Sequence, residues 1–349
     1  MTFGLLFDDS FKEHFAQYSH PECPERLDAV TEGFRRNALW EAAKHFAPRP
    51  AKLDELTLVH DRTYVTRLLQ IFDQHKTGNL DPDTFFSKGT KVAALGAAGG
   101  GIDLATAVHN REIDWGWALV RPPGHHADKN NPKGFCIFNN IAIAAAAILD
   151  KTDAKKIAIF DWDVHHGNGT QDLFWNNPNI LFVSVHQWPH FPGSGLSEEI
   201  GGLDALGKTV NLPFPSGSQN GDFLFAIDKI ADPLFSSFKP DHIMISAGFD
   251  AHKNEPLANM ELDADCFGLM ASKMKTLANK LCDGRITLFL EGGYDLPALA
   301  DCTESVCLGL NEKIPPDNPP NSRFKPTASG LKIIESTLKA IRPHWPEAL

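Results

Sequence analysis

The chain of 349 residues is 42% hydrophobic and 22% charged, with 33 lysines and arginines against 44 aspartates and glutamates. This balance is typical of a soluble globular protein and excludes collagen-like, coiled-coil and disordered classes. The formal net charge of −11 argues against nucleic-acid binding, because a phosphate backbone requires a basic surface. We expect no secretory signal and no membrane-spanning stretch. Six dispersed cysteines without a CxxC pair favour reduced thiols in a cytoplasmic protein.

Short apolar runs alternate along the chain with longer segments of helical periodicity. The runs predicted as buried strands are Phe3–Phe7, Gly116–Val120, Ile157–Phe160, Ile180–Val185, His242–Ser246 and Ile286–Leu290. The predicted helices are Pro24–Asn37, Lys88–His109, Asn139–Leu149, Asp222–Phe235, Asp263–Cys282 and Pro297–Leu308. This alternation predicts an α/β domain with a mostly parallel sheet covered on both sides.

The C-terminal region differs in composition from the rest of the chain. A proline-rich strap is predicted around residues 314–326, because its prolines are incompatible with the interior of a helix or sheet. A final helix near Ser329–Ile341 is expected to pack back on the main body. We therefore predict a single domain over residues 1–349.

Polar motifs follow four of the predicted strands. They are RPPGHH at 121–126, DWDVHHGNG at 161–169, AGFDAH at 247–252 and EGGY at 291–294. In open parallel α/β sheets the ligand crevice lies beyond the carboxyl ends of the strands. Segments that are distant in sequence are therefore expected to meet in one cleft.

The segment after the third predicted strand has the residue types of a metal site. In an extended chain, Asp161, Asp163 and His165 project to the same side, and Asp250 from another strand can complete a three-ligand set. Carboxylate and imidazole ligands suit Zn²⁺, and three protein ligands leave a position open for water or substrate. The alternative is a solvated turn, but an unpaired carboxylate at the end of an apolar strand is costly.

Two histidines and one tyrosine are candidates for catalysis. His125 and His126 are adjacent, and near a metal either can move protons, with Asp161 and Asn168 as candidate partners that fix their tautomers. Tyr294 is one of only three tyrosines in a chain with 24 phenylalanines, which indicates a use for its hydroxyl. Over the cleft, that hydroxyl can donate a hydrogen bond to a developing oxyanion.

Together these motifs resemble the histone deacetylase and acetylpolyamine amidohydrolase family. The resemblance also includes HPECPERL at 20–27, GFCIFNN at 134–140 and FPGSG at 191–195. It implies an arginase-like, three-layer α/β/α fold with a mostly parallel central sheet. Asn168 and the motifs HHGNGTQ and LEGGYDL are similar to the class II branch.

The resemblance also implies a role for each site residue. Asp163, His165 and Asp250 would bind Zn²⁺, with Fe²⁺ as the alternative metal. His125, His126 and Tyr294 would be catalytic, with Asp161 orienting His125. A structural K⁺ would be surrounded by Asp161, Asp163, His165 and Ser184. The substrate channel would be formed by Gly134, Phe135, Phe191 and Leu257.

The implied reaction is hydrolysis of an N-acyl-lysine amide by a zinc-bound water. The implied substrates are acetylated lysine side chains of proteins or small acylated amines. An acetylpolyamine amidohydrolase is the main alternative, although Leu257 stands where polyamine-selective relatives carry a glutamate, and Glu255 is displaced from that position. A catalytically silent acyl-lysine binding protein and a two-manganese ureohydrolase are further alternatives.

Overall fold

A computed structural model describes residues 2–317 and 324–349 of the chain. Its strands are β1 (Phe3–Leu6), β2 (Lys44–Phe46), β3 (Gly78–Asn79), β4 (Phe85–Phe86), β5 (Trp115–Ala118), β6 (Ile157–Asp161), β7 (Ile180–Gln187), β8 (Thr209–Phe214), β9 (His242–Ala247) and β10 (Ile286–Leu290). Eight of them form one parallel sheet in the order β2-β1-β5-β10-β9-β6-β7-β8, whereas β3 and β4 form a small antiparallel hairpin.

Helices connect and cover the strands. They are α1 (Glu25–Arg35), α2 (Leu39–Ala42), α3 (Leu53–Leu56), α4 (Arg62–Gln74), α5 (Thr90–His109), α6 (Asn140–Lys151), α7 (Asn168–Phe174), α8 (Asn220–Ala226), α9 (Asp232–Phe238), α10 (Ala264–Leu281), α11 (Leu296–Leu310) and α12 (Ala328–Ile341). The inner strands are buried along their whole length on both faces, as expected for a parallel sheet between helical layers. The predicted α/β architecture with a mostly parallel sheet is confirmed.

The six predicted strands and seven predicted helices are present, with shifts at their ends. The predicted helix Asp222–Phe235 is α8 and α9 joined through a π-helical turn at Ile227–Ala231. The prediction missed β8, in which Pro213 interrupts the strand pattern. Because β8 is at the edge of the sheet, a residue without an N–H is tolerated there.

The prediction also missed β2, the β3–β4 hairpin, and helices α2, α3, α4 and α7. Of the predicted proline-rich strap, residues 318–323 lie outside the described residues. Residues 314–317 form bends rather than helix or strand. The final helix is present as α12, and its residues Ile334 and Ile341 are buried in the core.

Glycines allow helix α5 to pack closely on the sheet and on the segment around Arg49. Gly4 and Gly116 are paired in register on β1 and β5, and an added Cβ at either would meet the Leu104 side chain of α5 within 3.0 Å. An added Cβ at Gly99 would lie 2.2 Å from the carbonyl oxygen of Arg49. The expectation that no segment has the composition of a membrane-spanning helix is wrong for α5, which is long and apolar enough. However, 78% of the apolar stretch of this helix is buried within the fold.

The strand order explains where the polar motifs meet. The four motifs follow β5, β6, β9 and β10, which occupy the contiguous positions β5-β10-β9-β6 in the middle of the sheet. All four strands run parallel, so their carboxyl ends lie at the same edge. The predicted convergence of distant segments is therefore confirmed, and its cause is the topology.

Candidate active site

Three side chains meet beyond the ends of β6 and β9. His165 Nδ1 lies 3.1 Å from Asp163 Oδ1 and 3.0 Å from Asp250 Oδ2. Among the described residues, these three form a group whose potential ligand atoms all lie within 4.8 Å of one another. Both aspartates are buried, and His165 is 9% exposed. The predicted ligand set is therefore brought together at one point.

Backbone groups orient the two carboxylates. The N–H of Gly292 donates to Asp163 Oδ2 at 2.7 Å, and the N–H of Val164 donates to Asp250 Oδ1 at 2.9 Å. Asp250 thus turns its other oxygen toward the imidazole of His165, and Asp163 turns its other oxygen toward both the imidazole and the backbone N–H of His165. An added Cβ at Gly292 would lie 2.1 Å from Asp250 Oδ2, so no larger residue fits between the loop and the carboxylate. The EGGY loop therefore closes one side of the cluster.

The histidine pair lies beside this cluster, and the two rings have different partners. His125 Nδ1 is 2.9 Å from Asp161 Oδ2, whereas His126 Nδ1 is 2.9 Å from Asn168 Oδ1. Their ring centroids are 4.0 Å apart, and both histidines are buried. The two partners proposed from the sequence, Asp161 and Asn168, are the ones observed.

The surroundings of the two imidazoles give them opposite preferences for a proton. Burial opposes a charge on His125, but the carboxylates of Asp161, Asp163 and Glu291 outweigh it and raise the pKa of His125 to about 10. Burial and the neighbouring imidazole of His125 hold the pKa of His126 well below its ordinary value. With Nδ1–H donating to Asn168, neutral His126 has an unprotonated Nε2 that can accept a proton.

A cavity of about 250 Å³ opens onto the cluster. Its walls include all of the predicted channel residues, namely Gly134, Phe135, Phe191 and Leu257. His125, His126, His165 and Tyr294 also line it. Apolar walls with a few convergent polar groups at one end are characteristic of sites for small ligands or extended side chains.

The sequence interpretation missed several residues that line or support this cavity. Asp83, Cys136 and His190 lie in its wall, and the His190 ring stacks on His165 with centroids 5.0 Å apart. Glu291 is buried, and its Oε2 accepts the N–H groups of Gly124 and His125 at 2.7 and 3.1 Å. The motif EGGY was noted in the sequence, but nothing local indicates that its glutamate holds the histidine loop.

A buried network of charged side chains connects the RPPGHH and EGGY segments. Arg121 donates to both carboxylate oxygens of Glu22, and Arg26 lies 3.3 Å from the same carboxylate. Arg26 also donates to the carbonyl oxygens of Gly293 and Glu291. The arginines outweigh burial and lower the pKa of Glu22 to about 2. The i, i+4 spacing of Glu22 and Arg26 is the only sequence signal for this network.

A parallel α/β fold in which the loops after four central strands line one cavity has the architecture of an α/β enzyme. Comparison with known proteins identifies the kind of enzyme. Residues 20–310 match the family described as histone deacetylase domain. The chain belongs to this family, whose members are amide-hydrolysing deacetylases.

Several relatives span most of the chain. A probable deacetylase of Archaeoglobus fulgidus is 40% identical over 298 residues, covering 85% of this chain and 82% of that protein. Histone deacetylase 10, chloroplastic, of Oryza sativa subsp. japonica is 38% identical over 300 residues, covering 81% and 67%. Polyamine deacetylase HDAC10 of Homo sapiens is 36% identical over 362 residues, covering 99% and 53%.

The fold agrees with this assignment. The crystal structure of the HDA15 HD domain matches with a TM-score of 0.91 at 32% identity, covering 99% of this chain and 97% of that one. The similarity thus extends over the whole central sheet and its helices, and the predicted deacetylase-like fold is confirmed.

Proposed function

We propose that this protein is a zinc-dependent deacetylase that hydrolyses the amide of N-acetyl-lysine side chains. The observation that carries the proposal is the position of the cluster of Asp163, His165 and Asp250 on the cavity that His126 and Tyr294 line. The reaction requires a polarised carbonyl, a proton acceptor and an oxyanion donor. The side chains around this cavity can supply the second and third of these.

The donor set fits a divalent cation. Two buried carboxylates outweigh the burial of His165 and raise its pKa to about 10, so the cluster favours a positive charge. One imidazole and two carboxylates are ligands of Zn²⁺, and Fe²⁺ accepts the same set. When bound, such an ion polarises the amide carbonyl and increases the acidity of water.

A structural K⁺ is also part of the proposal. Asp161 on β6 and Ser184 on β7 are partners in register, and both are buried. With Asp163 and His165 they would surround the monovalent cation. Its role would be to offset the negative charge of Asp161 below the histidine pair.

His126 is proposed to move the proton. Its neutral Nε2 accepts a proton from water as the nucleophile attacks, and the same nitrogen then returns the proton to the leaving amine. His125 remains protonated through Asp161 and stabilises negative charge without titrating. Adjacent histidines thus perform different tasks because carboxylates surround His125, whereas burial and the imidazole of His125 act on His126.

Tyr294 is proposed to stabilise the oxyanion. Burial raises the pKa of its phenol well above the ordinary value, so the hydroxyl remains a donor at neutral pH. The ring lines the cavity and meets the Phe135 ring edge-on, with centroids 5.8 Å apart. The tyrosine ring therefore forms part of the cavity wall.

The shape and polarity of the cavity favour an acyl-lysine. Phe135, Phe191 and Leu257 provide apolar walls for the methylene stem. An added Cβ at Gly134 would meet both His126 and Phe191 within 3.0 Å, so glycine keeps the passage open. Leu257 lines the cavity at the position where a glutamate would favour a polyamine, and the Glu255 carboxylate is hydrogen-bonded to backbone N–H groups instead.

The test is a substrate panel measured before and after removal of metal. We expect acetyl-lysine peptides to be hydrolysed faster than acetylspermidine, and a chelator to abolish activity until Zn²⁺ is returned. Chelation should also lower the urea midpoint of unfolding, because an ion that binds the folded state and not the unfolded chain stabilises the fold.

Variants assign these effects to the cluster. D250N should lose both the activity and the chelator-sensitive part of the stability, whereas D204N, at an exposed aspartate, should keep both. Faster hydrolysis of acetylspermidine would establish the polyamine alternative. Tight binding of acetyl-lysine without release of acetate would indicate a binding protein, and two ions per chain would indicate the ureohydrolase type.

A further inference from the structure

The loop after β9 contains a buried carboxylate to which the proposed mechanism gives no task. Glu255 is 7% exposed, and it is outside the set of residues that line the cavity. Its loop is closed by a bridge between His252 and Leu262, so Glu255 is held in a defined place. A carboxylate that neither faces solvent nor faces the cavity requires another reason to be there.

The hydrogen bonds of Glu255 join two loops that each contribute a residue to the cavity wall. Its Oε2 accepts the N–H of Tyr294 at 2.9 Å and that of Asp295 at 3.4 Å. Its Oε1 accepts the N–H of Leu257 at 3.3 Å. One side chain therefore connects the backbone of the tyrosine with the backbone of a wall residue.

Tyr294 is also held from its other side. Arg26 donates from Nε to the carbonyl oxygen of Gly293 at 2.7 Å, and its guanidinium lies 4.9 Å from the centroid of the Tyr294 ring. Gly293 has a φ of +112°, a conformation that other residues rarely adopt. The glycine gives the loop no rigidity of its own, so the contacts on either side must fix the direction of the tyrosine.

The position of Glu255 has an energetic cost. Burial, followed by the negative charge of Asp250, raises the pKa of Glu255 to about 7, although N–H donors partly offset this. A neutral side chain would avoid that cost if the only requirement were to fill space. The three N–H groups it satisfies lie on the two loops just described.

We propose that Glu255 is a positioning residue, which sets the Tyr294 hydroxyl at the correct distance from the wall formed by Leu257. This inference rests on the proposed role of Tyr294 in the deacetylation. If it holds, removing the carboxylate lowers the rate of the chemical step by displacing the tyrosine, while the metal cluster and the cavity remain.

A double-mutant cycle with kcat and KM as readouts tests this inference. It uses the fastest substrate of the panel and the variants E255A, Y294F and E255A/Y294F, all loaded with Zn²⁺. Y294F alone should lower kcat by about 10²–10³-fold, the usual effect of losing an oxyanion donor. E255A should lower kcat by about 10–100-fold and change KM less than about threefold, because a small displacement weakens the transition-state contact.

The double variant distinguishes positioning from general destabilisation. If Glu255 acts through Tyr294, E255A should cause no further loss of kcat in the Y294F background. An equal loss in both backgrounds, or no loss in the presence of Tyr294, would overturn the inference. An unchanged rate of Y294F would instead refute the proposed role of the tyrosine.

Further variants guard against loss of folding. E255Q keeps one carbonyl oxygen that can face the Tyr294 N–H, so its kcat should fall between those of wild type and E255A. If E255A misfolds and E255Q keeps full kcat, the result would also contradict the inference that the two carboxylate oxygens of Glu255 position Tyr294. E261A alters an exposed glutamate at the end of the same loop and should leave kcat unchanged. Zinc content should be equal in all variants.

Discussion

At the scale of single residues, the site shows how neighbouring groups give two identical side chains different protonation states. His125 and His126 are adjacent in sequence and equally buried, yet one is paired with a carboxylate and the other with an amide. The carboxylates favour a protonated His125, whereas burial and the neighbouring imidazole of His125 keep His126 neutral. One imidazolium and one free base therefore lie 4.0 Å apart, which is suited to stabilising charge while moving a proton.

The partner of His126 can be tested by adding a charge. In N168D, a carboxylate replaces the amide that accepts from His126 Nδ1–H, so the pKa of His126 should rise. A higher pKa means that His126 remains protonated, and therefore unable to accept a proton, up to a higher pH. The acidic limb of the profile of kcat/KM against pH should move upward by about one unit.

The matched control is N179D, which adds the same charge at an exposed asparagine. Its profile should coincide with that of the wild type. An acidic limb that stays in place in N168D would show that His126 is not the base whose titration controls the rate.

At the scale of secondary-structure elements, close contacts set the distances between layers. Helix α5 lies on β1 and β5 through Leu104, and its Gly99 touches the backbone of the segment around Arg49. On the other side of the site, Arg26 of α1 holds the EGGY loop through the carbonyl oxygens of Gly293 and Glu291. Displacement of α1 would therefore be transmitted to the EGGY loop, and displacement of α5 to the strands and the segment on which it packs.

The variant G99A tests the contact of α5. Alanine favours a helix over glycine by about 1 kcal/mol, but here the new methyl group would overlap backbone atoms of Arg49 and Ala51. Because backbone cannot move aside as a side chain can, we expect a net loss of about 1–3 kcal/mol in the free energy of unfolding. Urea denaturation measures it.

The control in the same helix is V92A, since Val92 is 61% exposed. V92A should change the free energy of unfolding by less than about 0.5 kcal/mol. If G99A were as stable as wild type, the helix would be less closely packed at this point than the structure indicates.

At the scale of the whole molecule, buried histidines link stability to pH. His60 receives the N–H of Asn139 at Nε2 and lies 2.8 Å from the carbonyl oxygen of Asp128 at Nδ1, an arrangement that fits only the neutral ring. Burial lowers the pKa of His60 to about 4, and those of His14 and His242 to about 3. In the unfolded chain these histidines bind protons near the ordinary histidine pKa of about 6.5, whereas in the folded state they do not.

The sign of this effect follows from proton linkage. As pH falls from about 6.5 to about 4, the unfolded state binds a proton at residue 60 and the folded state does not, so stability falls. Buried carboxylates such as Glu291, with a pKa of about 7, act in the opposite sense, so the comparison must be between variants. As pH falls through this range, the free energy of unfolding of H60Q should increase relative to that of the wild type by about 1.4 kcal/mol per pH unit.

Urea unfolding at several pH values measures the difference. H75Q, at an exposed histidine, is the control and should follow the wild type. Parallel curves for H60Q and wild type would contradict a neutral His60.

The cytoplasmic location predicted from composition is a separate prediction, which fractionation of expressing cells would test.

Much of the fold could be predicted because its signals are local. Continuous apolar runs identify β6, β7, β9 and β10, since strands buried on both faces show no alternation. β8 was missed because Pro213 is acceptable only at an edge, and a position at the edge is a property of the assembled sheet. The three metal-ligand candidates were found because two of them lie within one motif and the third follows another strand.

The supporting residues could not be predicted in the same way. Glu22 and Arg121 are 99 positions apart, and Arg26 and Gly293 are 267 positions apart, so no local pattern relates them. Glu255 was noted in the sequence only as a displaced gatekeeper. Its actual contacts with Tyr294 and Leu257 depend on how two loops approach each other.

By itself the sequence determined the class of fold, the four polar motifs and the chemistry that their residue types allow, because periodicity and functional groups are properties of short segments. Only the tertiary structure decided which oxygen faces which nitrogen, which of two histidines keeps its proton, and which glutamate supports the tyrosine. Those properties arise from burial and from distances of about 3 Å between segments far apart in the chain, and such distances exist only after the sheet has assembled.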